Sequence, residues 1–241
     1  EQDYRGIAMS VPGVVNQETG VIEGISAIPY IHGFSWYETL AHHQLPVHLE
    51  NDANCVGLSE LLAHPEIENA ACVVIGTGIG GAMIINGKIH RGRHGLGGEF
   101  GYMTTIEPAE KLNNWSQLAS TGNMVRYVIE KSGQSDWDGR KVYQEAAAGN
   151  ALCQEAIERM NRNLAQGLLN IQYLIDPDVI SLGGSISQNP DFIKGVQKAV
   201  DVFVERYEEY TIAPVIQACT YQADANLYGA LVNWLQEENQ W

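Results

Sequence analysis

The chain has 241 residues, of which 45% are hydrophobic, a composition that suits one large or two small globular domains with a buried core. Lys and Arg total 14 against 29 for Asp and Glu, and this formal net charge of −15 argues against nucleic acid as a main partner, because phosphate binding requires a basic surface. The four cysteines are scattered, as is typical of a reduced cytosolic protein, and no segment has the pattern of a membrane span or a signal peptide.

The first part of the chain predicts short strands and helices. Apolar runs predict strands at residues 6–11, 21–22 and 47–49, and Ser35 is a suitable N-cap for a short helix. A segment of helical composition follows the third strand at residues 53–62.

Asn51 and Asp52 lie between that third strand and the helix. Either side chain can cap the helix by accepting hydrogen bonds from its first N–H groups. A carboxylate at the carboxyl end of a strand is also where α/β folds place groups that bind ligands. Asp52 is therefore a candidate to accept the proton of an attacking sugar hydroxyl, and Asn51 is a candidate to hydrogen-bond a polyol.

A glycine-rich stretch follows an apolar run at residues 72–75 and contains G-x-G-x-x-G at Gly76, Gly78 and Gly81. A dinucleotide site requires a helix after the glycines, but here a second apolar run and the hairpin signal Asn86–Gly87 follow, so a Rossmann site is excluded. A strand, a glycine turn and a strand remain. Their backbone N–H groups can form a phosphate cradle, and the alternative is a hairpin that binds nothing.

A second glycine-rich loop, residues 94–102, contains one carboxylate, Glu99. Glycines let this carboxylate approach a ligand closely, and a carboxylate can accept hydrogen bonds from two sugar hydroxyls. The alternative is a surface loop with a solvated Glu.

Helical patterns dominate the rest of the chain. The longest predicted helix spans residues 151–175, with an apolar stripe at three- and four-residue spacing that ends at Asp176–Pro177. Further helices are predicted at 192–207 and 226–241, and strands at 179–182 and 215–218. The alternation of strands and helices indicates the α/β class.

Gly183 and Gly184 lie between the predicted strand at 179–182 and the next helix. Such a turn can take the adenosine end of a nucleotide, and it can equally be an ordinary strand-to-helix connection.

Taken together, these motifs resemble those of the ROK family of sugar kinases and related repressors. The resemblance covers nearly the whole chain through SVPGVVNQETG, LPVHLENDANCVGLSE, VVIGTGIGGAMIINGKIHRGRHGLGGEFGY, LASTG, DVISLGGSIS and ADANLYGALVNW. It implies an actin-like, ribonuclease-H-like ATPase fold with two α/β domains around a cleft. Residues 1–68 would be the remainder of a small first domain, residues 69–225 the large domain, and the helix at 226–241 would pack back on the first.

The resemblance also implies a reaction and its residues. The enzyme would transfer the γ-phosphate of ATP to a sugar hydroxyl with Mg²⁺, it would form a homodimer, and Asp52 would be the catalytic base. The positions that match sugar contacts are Gly13, Asn51, Asp52 and Glu99, to which Tyr102 and Ser116 are added as positions where this chain departs from the family. Phosphate and nucleotide contacts would come from Gly76, Thr77, Gly78, Gly80, Gly81, Gly183 and Gly184. The alternative within the family is a non-catalytic protein that binds a sugar and regulates.

Three departures from the family pattern affect these expectations. An opening strand with a phosphate motif, within roughly fifty residues that precede this region in the family, is absent from the sequence, and without it we expect poor kinase activity. Tyr102 stands where the family usually has His, and no cysteine lies between Cys72 and Cys153, so no structural zinc is expected. Ser116 aligns with a family glutamate that contacts sugar.

Overall fold

The computed structural model describes residues 3–24, 28–106, 112–207 and 212–241. The strands are β1 (Ile7–Val11), β2 (Val14–Val15), β3 (Ile22–Glu23), β4 (Val47–Asn51), β5 (Ala70–Ile75), β6 (Ile79–Ile85), β7 (Lys88–Ile89), β8 (Thr104–Ile106), β9 (Leu112–Asn114), β10 (Val179–Gly183) and β11 (Ile216–Ala218). The α-helices are α1 (Trp36–Leu40), α2 (Asp52–Ala63), α3 (Trp115–Ala119), α4 (Thr121–Ser132), α5 (Gly139–Ala147), α6 (Ala151–Ile175), α7 (Pro190–Arg206) and α8 (Ala225–Glu237).

The largest sheet has the strand order β11-β10-β5-β6-β7. Strand β10 runs parallel to β5 and β11, whereas β6 is antiparallel to β5 and β7. Side chains alternate along a strand, and β5 is buried on both faces. Val73 and Ile75 join the large core formed with α3 to α7, and Cys72 packs with Val56 of α2 and Cys219 on the other side. The sheet is thus covered by helices on both faces.

A second, two-stranded sheet ends at Asn51, the residue that precedes α2. Strand β1 pairs with β4 in parallel, in a register that sets Val11 opposite Asn51. Helix α8 packs against α2, β1 and β4. The crossing of α2 and α8 is so close that a Cβ at Gly229 would overlap the backbone of Cys55. The division at residue 68 stays a prediction, but α8 does contact the elements that come before it.

Several local predictions are confirmed. Asn86 and Gly87 have φ values of 53° and 70°, the conformation that the predicted hairpin turn requires. Helix α6 has the predicted limits and ends at Asp176, which takes up the left-handed conformation. Ser35 caps α1 by accepting a hydrogen bond from the N–H of Glu38. A strand follows the glycine turn, as expected, and this excludes a dinucleotide-binding helix there.

Within the described ranges, no helix combines the length and the apolar composition that crossing a lipid bilayer requires.

Candidate active site

A cavity of about 560 Å³ lies between the N-terminus of α2 and the turn that joins β5 to β6. The loop that carries Glu99, the start of α3 and the first turn of α8 complete its walls. The residues that line it are Asp52, Ala53, Val56, Val74, Gly76, Thr77, Gly78, Ile79, Gly80, Glu99, Gly101, Tyr102, Asn114, Ser116 and Asn226. The structure therefore brings the predicted catalytic carboxylate, the predicted phosphate-binding turn and the Glu99 loop to one cavity.

Asp52 is the first residue of α2, and its position is defined by hydrogen bonds. Its Oδ1 accepts from the backbone N–H of Ala53 at 2.9 Å and from the Asn51 side chain at 3.1 Å. The positive end of the helix dipole favours a negative charge at this position. Both of these hydrogen bonds are accepted by Oδ1.

Asn51 caps α2, and this role uses its whole amide group. Its Oδ1 accepts from the N–H groups of Ala53 and Asn54, while its Nδ2 donates to the carbonyl oxygen of Gly13 and to Asp52. An Asn side chain has two donors and two acceptor lone pairs, so all four are occupied. Asn51 is also absent from the cavity lining. In this structure Asn51 thus holds Asp52, and its predicted contact to a sugar stays a prediction.

Two carboxyl groups in the cavity have raised pKa values. Burial raises the pKa of Asp52 above its ordinary value, and hydrogen bonds from Ala53, from its own N–H group and from Asn51 partly oppose the rise. Burial also raises the pKa of Glu99, and the charge of Asp52 raises it further. The side chain of Glu99 has no hydrogen-bond partner among the described residues. A partly buried carboxylate without a partner is suited to accept hydrogen bonds from the hydroxyl groups of a ligand.

At pH values above the ordinary pKa of Glu, we expect the charge of Glu99 to lower the free energy of unfolding of the ligand-free protein. A group whose pKa is higher in the folded than in the unfolded state stabilises the fold at low pH. This contribution to the free energy of unfolding is lost as the pH rises through the folded-state pKa. Glu99→Gln should therefore raise the melting temperature at pH 7 to 8, and the difference should vanish below about pH 4. Thermal unfolding of both proteins across this pH range tests the expectation. A difference that is independent of pH would contradict it.

The turn between β5 and β6 is exposed to the cavity at Gly76, Thr77 and Gly78. A Cβ at Gly76 would meet no atom within 4 Å, and one at Gly78 would meet only Ser116, at 3.5 Å or more. The N–H of Gly76 donates to the carbonyl oxygen of Gly78, whereas the N–H groups of Thr77 and Gly78 have no partner in the part of the chain that the structure describes. Free N–H groups beside open space are what a bound phosphate requires.

Gly80 and Gly81 lie in β6, and their surroundings differ. Gly80 lines the cavity, and a Cβ there would lie 3.5 Å from the Cβ of Ala53. Gly81 is not part of the lining: a Cβ there would lie 2.6 Å from the carbonyl oxygen of Gly98 and would overlap Phe100. Gly81 therefore permits the Glu99 loop to pack closely on β6, and the predicted phosphate contact at this residue stays a prediction.

Ser116 lines the cavity, but its hydroxyl group is committed to the glycine turn. Its Oγ accepts from the N–H of Ile79 at 2.8 Å and donates to the carbonyl oxygen of the same residue at 3.1 Å. Because its only proton is used, Ser116 can offer a sugar no more than a lone pair. Ser116 therefore supports the turn in this structure, and its predicted contact to a sugar stays a prediction. Tyr102, in contrast, is 72% exposed and also lines the cavity.

The other predicted site residues lie outside this cavity. Gly13, with a φ of 104°, accepts from Asn51 through its carbonyl oxygen. Gly183 is the last residue of β10 and Gly184 follows it, and a Cβ at Gly184 would overlap the carbonyl group of Ile75. Ser185, the next residue, lines a second cavity of about 560 Å³. Its other lining residues are Thr121, Asp138, Gly139, Arg140, Tyr143, Ile186, Gln188 and Asn189.

Sequence reasoning missed the groups that join these two cavities. The N–H of Gly122 donates to the carbonyl oxygen of Gly76 at 3.1 Å, and a Cβ at Gly122 would lie 2.5 Å from the carbonyl oxygen of Thr77. Thr121, one residue earlier, lines the second cavity. Asn114 and Asn226 also line the first cavity without having been predicted. The segments LASTG, which contains Thr121 and Gly122, and ADANLYG, which contains Asn226, were the signals in the sequence that could have indicated these residues.

Within the described ranges, no cluster of three or more His, Cys, Asp or Glu side chains could hold a metal ion. In the family pattern, a zinc loop follows the position of Tyr102. Residues 107–111, which belong to this stretch, lie outside the described residues. The expected absence of zinc therefore stays a prediction.

Comparison with known proteins bears on the chain as a whole. The model of the ROK family matches residues 1–237. A beta-glucoside kinase from Listeria monocytogenes is 35% identical over 246 residues, which span 99% of this chain and 82% of the relative.

Solved structures match along the full chain as well. A ROK family protein from Streptococcus pneumoniae TIGR4, in complex with sucrose, is 88% identical with a TM-score of 0.97, and the match covers 100% of this chain and 83% of that chain. The ROK hexokinase from Thermus thermophilus is 26% identical with a TM-score of 0.84, covering 98% of this chain and 80% of that chain.

Proposed function

This chain belongs to the ROK family, and from that premise we propose that it transfers the γ-phosphate of ATP to a hydroxyl group of a hexose unit, with Asp52 as the general base. It has the actin-like ATPase fold of ROK sugar kinases, and it is a sugar kinase, as are the Listeria and Thermus relatives by name. The identities of the phosphate donor, of the general base and of the sugar are our proposal.

The observation that carries the proposal is the meeting of Asp52 and the glycine turn at one cavity. In the proposed step, the sugar oxygen attacks the γ-phosphorus atom while its proton passes to the Asp52 carboxylate. The bond from phosphorus to the bridging oxygen breaks, and ADP leaves. The raised pKa of Asp52 would make its carboxylate a better proton acceptor than an ordinary Asp. The N–H groups of Thr77 and Gly78, which have no partner among the described residues, would donate to the phosphate.

The sugar would lie between Asp52, Glu99 and Tyr102. Glu99 offers a carboxylate without another partner, and the exposed Tyr102 ring can cover an apolar sugar face. We propose that the substrate is a free hexose or the hexose unit of a glucoside. The names of the relatives support this range, since one is a beta-glucoside kinase, one a hexokinase and one was solved with sucrose.

ATP would extend from the glycine turn to the second cavity, beside Gly184 and Ser185. Thr121 and Tyr143 line that cavity and would flank the adenosine. Asp52 and Glu99 are the carboxylates of this cavity that could contact, through water, a Mg²⁺ ion bound to the phosphates. Bound there, Mg²⁺ would neutralise phosphate charge beside the two carboxylates.

The proposal is tested by the release of ADP from MgATP with glucose, N-acetylglucosamine, cellobiose, an aryl β-glucoside and sucrose. We expect ADP release to depend on at least one sugar, with a product heavier than that sugar by one phosphoryl group in the mass spectrum. Binding of a sugar in calorimetry without any phosphorylated product would contradict the proposal and favour a regulatory sugar-binding protein.

A further inference from the structure

Arg91, which follows β7, connects three parts of the fold through its guanidinium group. Its Nε donates to Glu50 Oε2 at 2.7 Å, and its Nη2 donates to Asn233 at 2.9 Å and to Glu237 at 3.2 Å. Glu50 lies in β4, and the other two acceptors lie in α8. Arg91 therefore holds the end of β4 against α8.

Glu50 is the buried centre of this contact, with 1% of its surface exposed. Its Oε1 accepts from the backbone N–H of Asn51 and from the side chain of Asn54, both at 2.8 Å. One carboxylate oxygen thus holds the first turn of α2, while the other faces Arg91. A continuous series of contacts runs from Arg91 through Glu50 and Asn51 to Asp52.

The two charges depend on each other. A buried carboxylate without a counter-charge is costly, and removal of one partner of such a pair is far more damaging than replacement of both. Without the guanidinium group, the buried Glu50 carboxylate would lose its counter-charge, which favours its movement toward water or away from its present partners. Either change weakens its hydrogen bonds to Asn51 and Asn54, which hold the residue before the base.

We infer that Arg91 is a positioning residue for the proposed general base, acting through the buried charge of Glu50. This inference rests on the proposed function, because it concerns the placement of Asp52 for proton transfer. Neither residue lines the cavity, so Arg91 acts without touching the sugar or the nucleotide. A displacement of about 1 Å at a reacting group can cost on the order of 100-fold in rate.

The test compares Arg91→Met with Arg93→Met. Arg93 lies two residues further along the same loop, is exposed, and forms no ion pair with the described residues, so its replacement removes the same charge without the contacts. We expect Arg91→Met to lower kcat by on the order of 100-fold with the KM for ATP nearly unchanged, and Arg93→Met to resemble the wild type. Arg91→Lys should recover part of the activity, because it keeps the charge but not the forked geometry.

A second variant separates positioning from general damage to the fold. Glu50→Gln in the Arg91→Met background removes the uncompensated charge and keeps an acceptor for Asn51, so this double variant should be more active than Arg91→Met alone. A double variant no more active than Arg91→Met would overturn the inference, as would Arg91→Met with wild-type kcat beside an inactive Asp52→Asn. Full activity of Asp52→Asn would instead overturn the proposed function and the inference with it.

Discussion

Asp52→Asn is expected to lower kcat for phosphoryl transfer by about 100- to 10,000-fold, the range for loss of a positioned general base. The amide has nearly the same shape as the carboxylate, and its oxygen can still accept from Ala53 and from Asn51. It cannot take up the proton of the attacking hydroxyl. Steady-state ADP release at saturating ATP and sugar measures the effect.

The melting temperature and the sugar affinity of Asp52→Asn provide the control for its loss of activity. Since burial raises the pKa of Asp52, its ionised form is held in a partly unfavourable environment, and Asp52→Asn should unfold at the same temperature as the wild type or higher. Sugar affinity by calorimetry should change much less than kcat. A variant that is well folded, binds sugar and retains full turnover would reduce Asp52 to a helix-capping residue.

Gly78→Val is expected to have the second-largest effect, a loss of kcat/KM for ATP of at least about 100-fold with little change in thermal stability. The turn is open at this position, so the fold can accept a Cβ, but a branched side chain would occupy the space where we place the phosphates. It would also crowd the free N–H groups of Thr77 and Gly78, and loss of one such donor typically costs on the order of 100-fold or more.

Gly78→Ala serves as the graded control, because its single methyl group would lie at ordinary contact distance from Ser116. We expect it to be weaker in effect than Gly78→Val, and we expect both variants to leave sugar affinity without ATP nearly unchanged. If Gly78→Val used ATP as the wild type does, the phosphates would have to bind elsewhere.

Local sequence patterns were sufficient for much of the fold. Asn86–Gly87 and Asp176 mark a hairpin and a helix end because their backbone conformations depend on the residue type itself. The apolar stripe of α6 depends on its own periodicity. The pattern after Gly78 predicted a strand and not a helix, because the two have different periods of apolar residues. That prediction was enough to exclude a dinucleotide site.

The partners of polar side chains could not be predicted in the same way. Ser116 contacts Ile79 across 37 residues, and Arg91 contacts Glu50 across 41, so each pairing depends on the complete fold. Asn51 belongs to a motif that suggests sugar binding, but local N–H groups and Gly13 occupy its amide. The antiparallel pairing of β8 with β9 was not predicted either, because the polar composition of this region is typical of a loop.

A crystal structure of the protein with a sugar and a non-hydrolysable ATP analogue is the most direct test of the account. We expect one sugar hydroxyl to lie about 2.6–3.2 Å from the Asp52 carboxylate and to face a γ-phosphate held by the turn from Gly76 to Gly78. A sugar bound away from Asp52, or a triphosphate that does not reach this turn, would contradict the central claim.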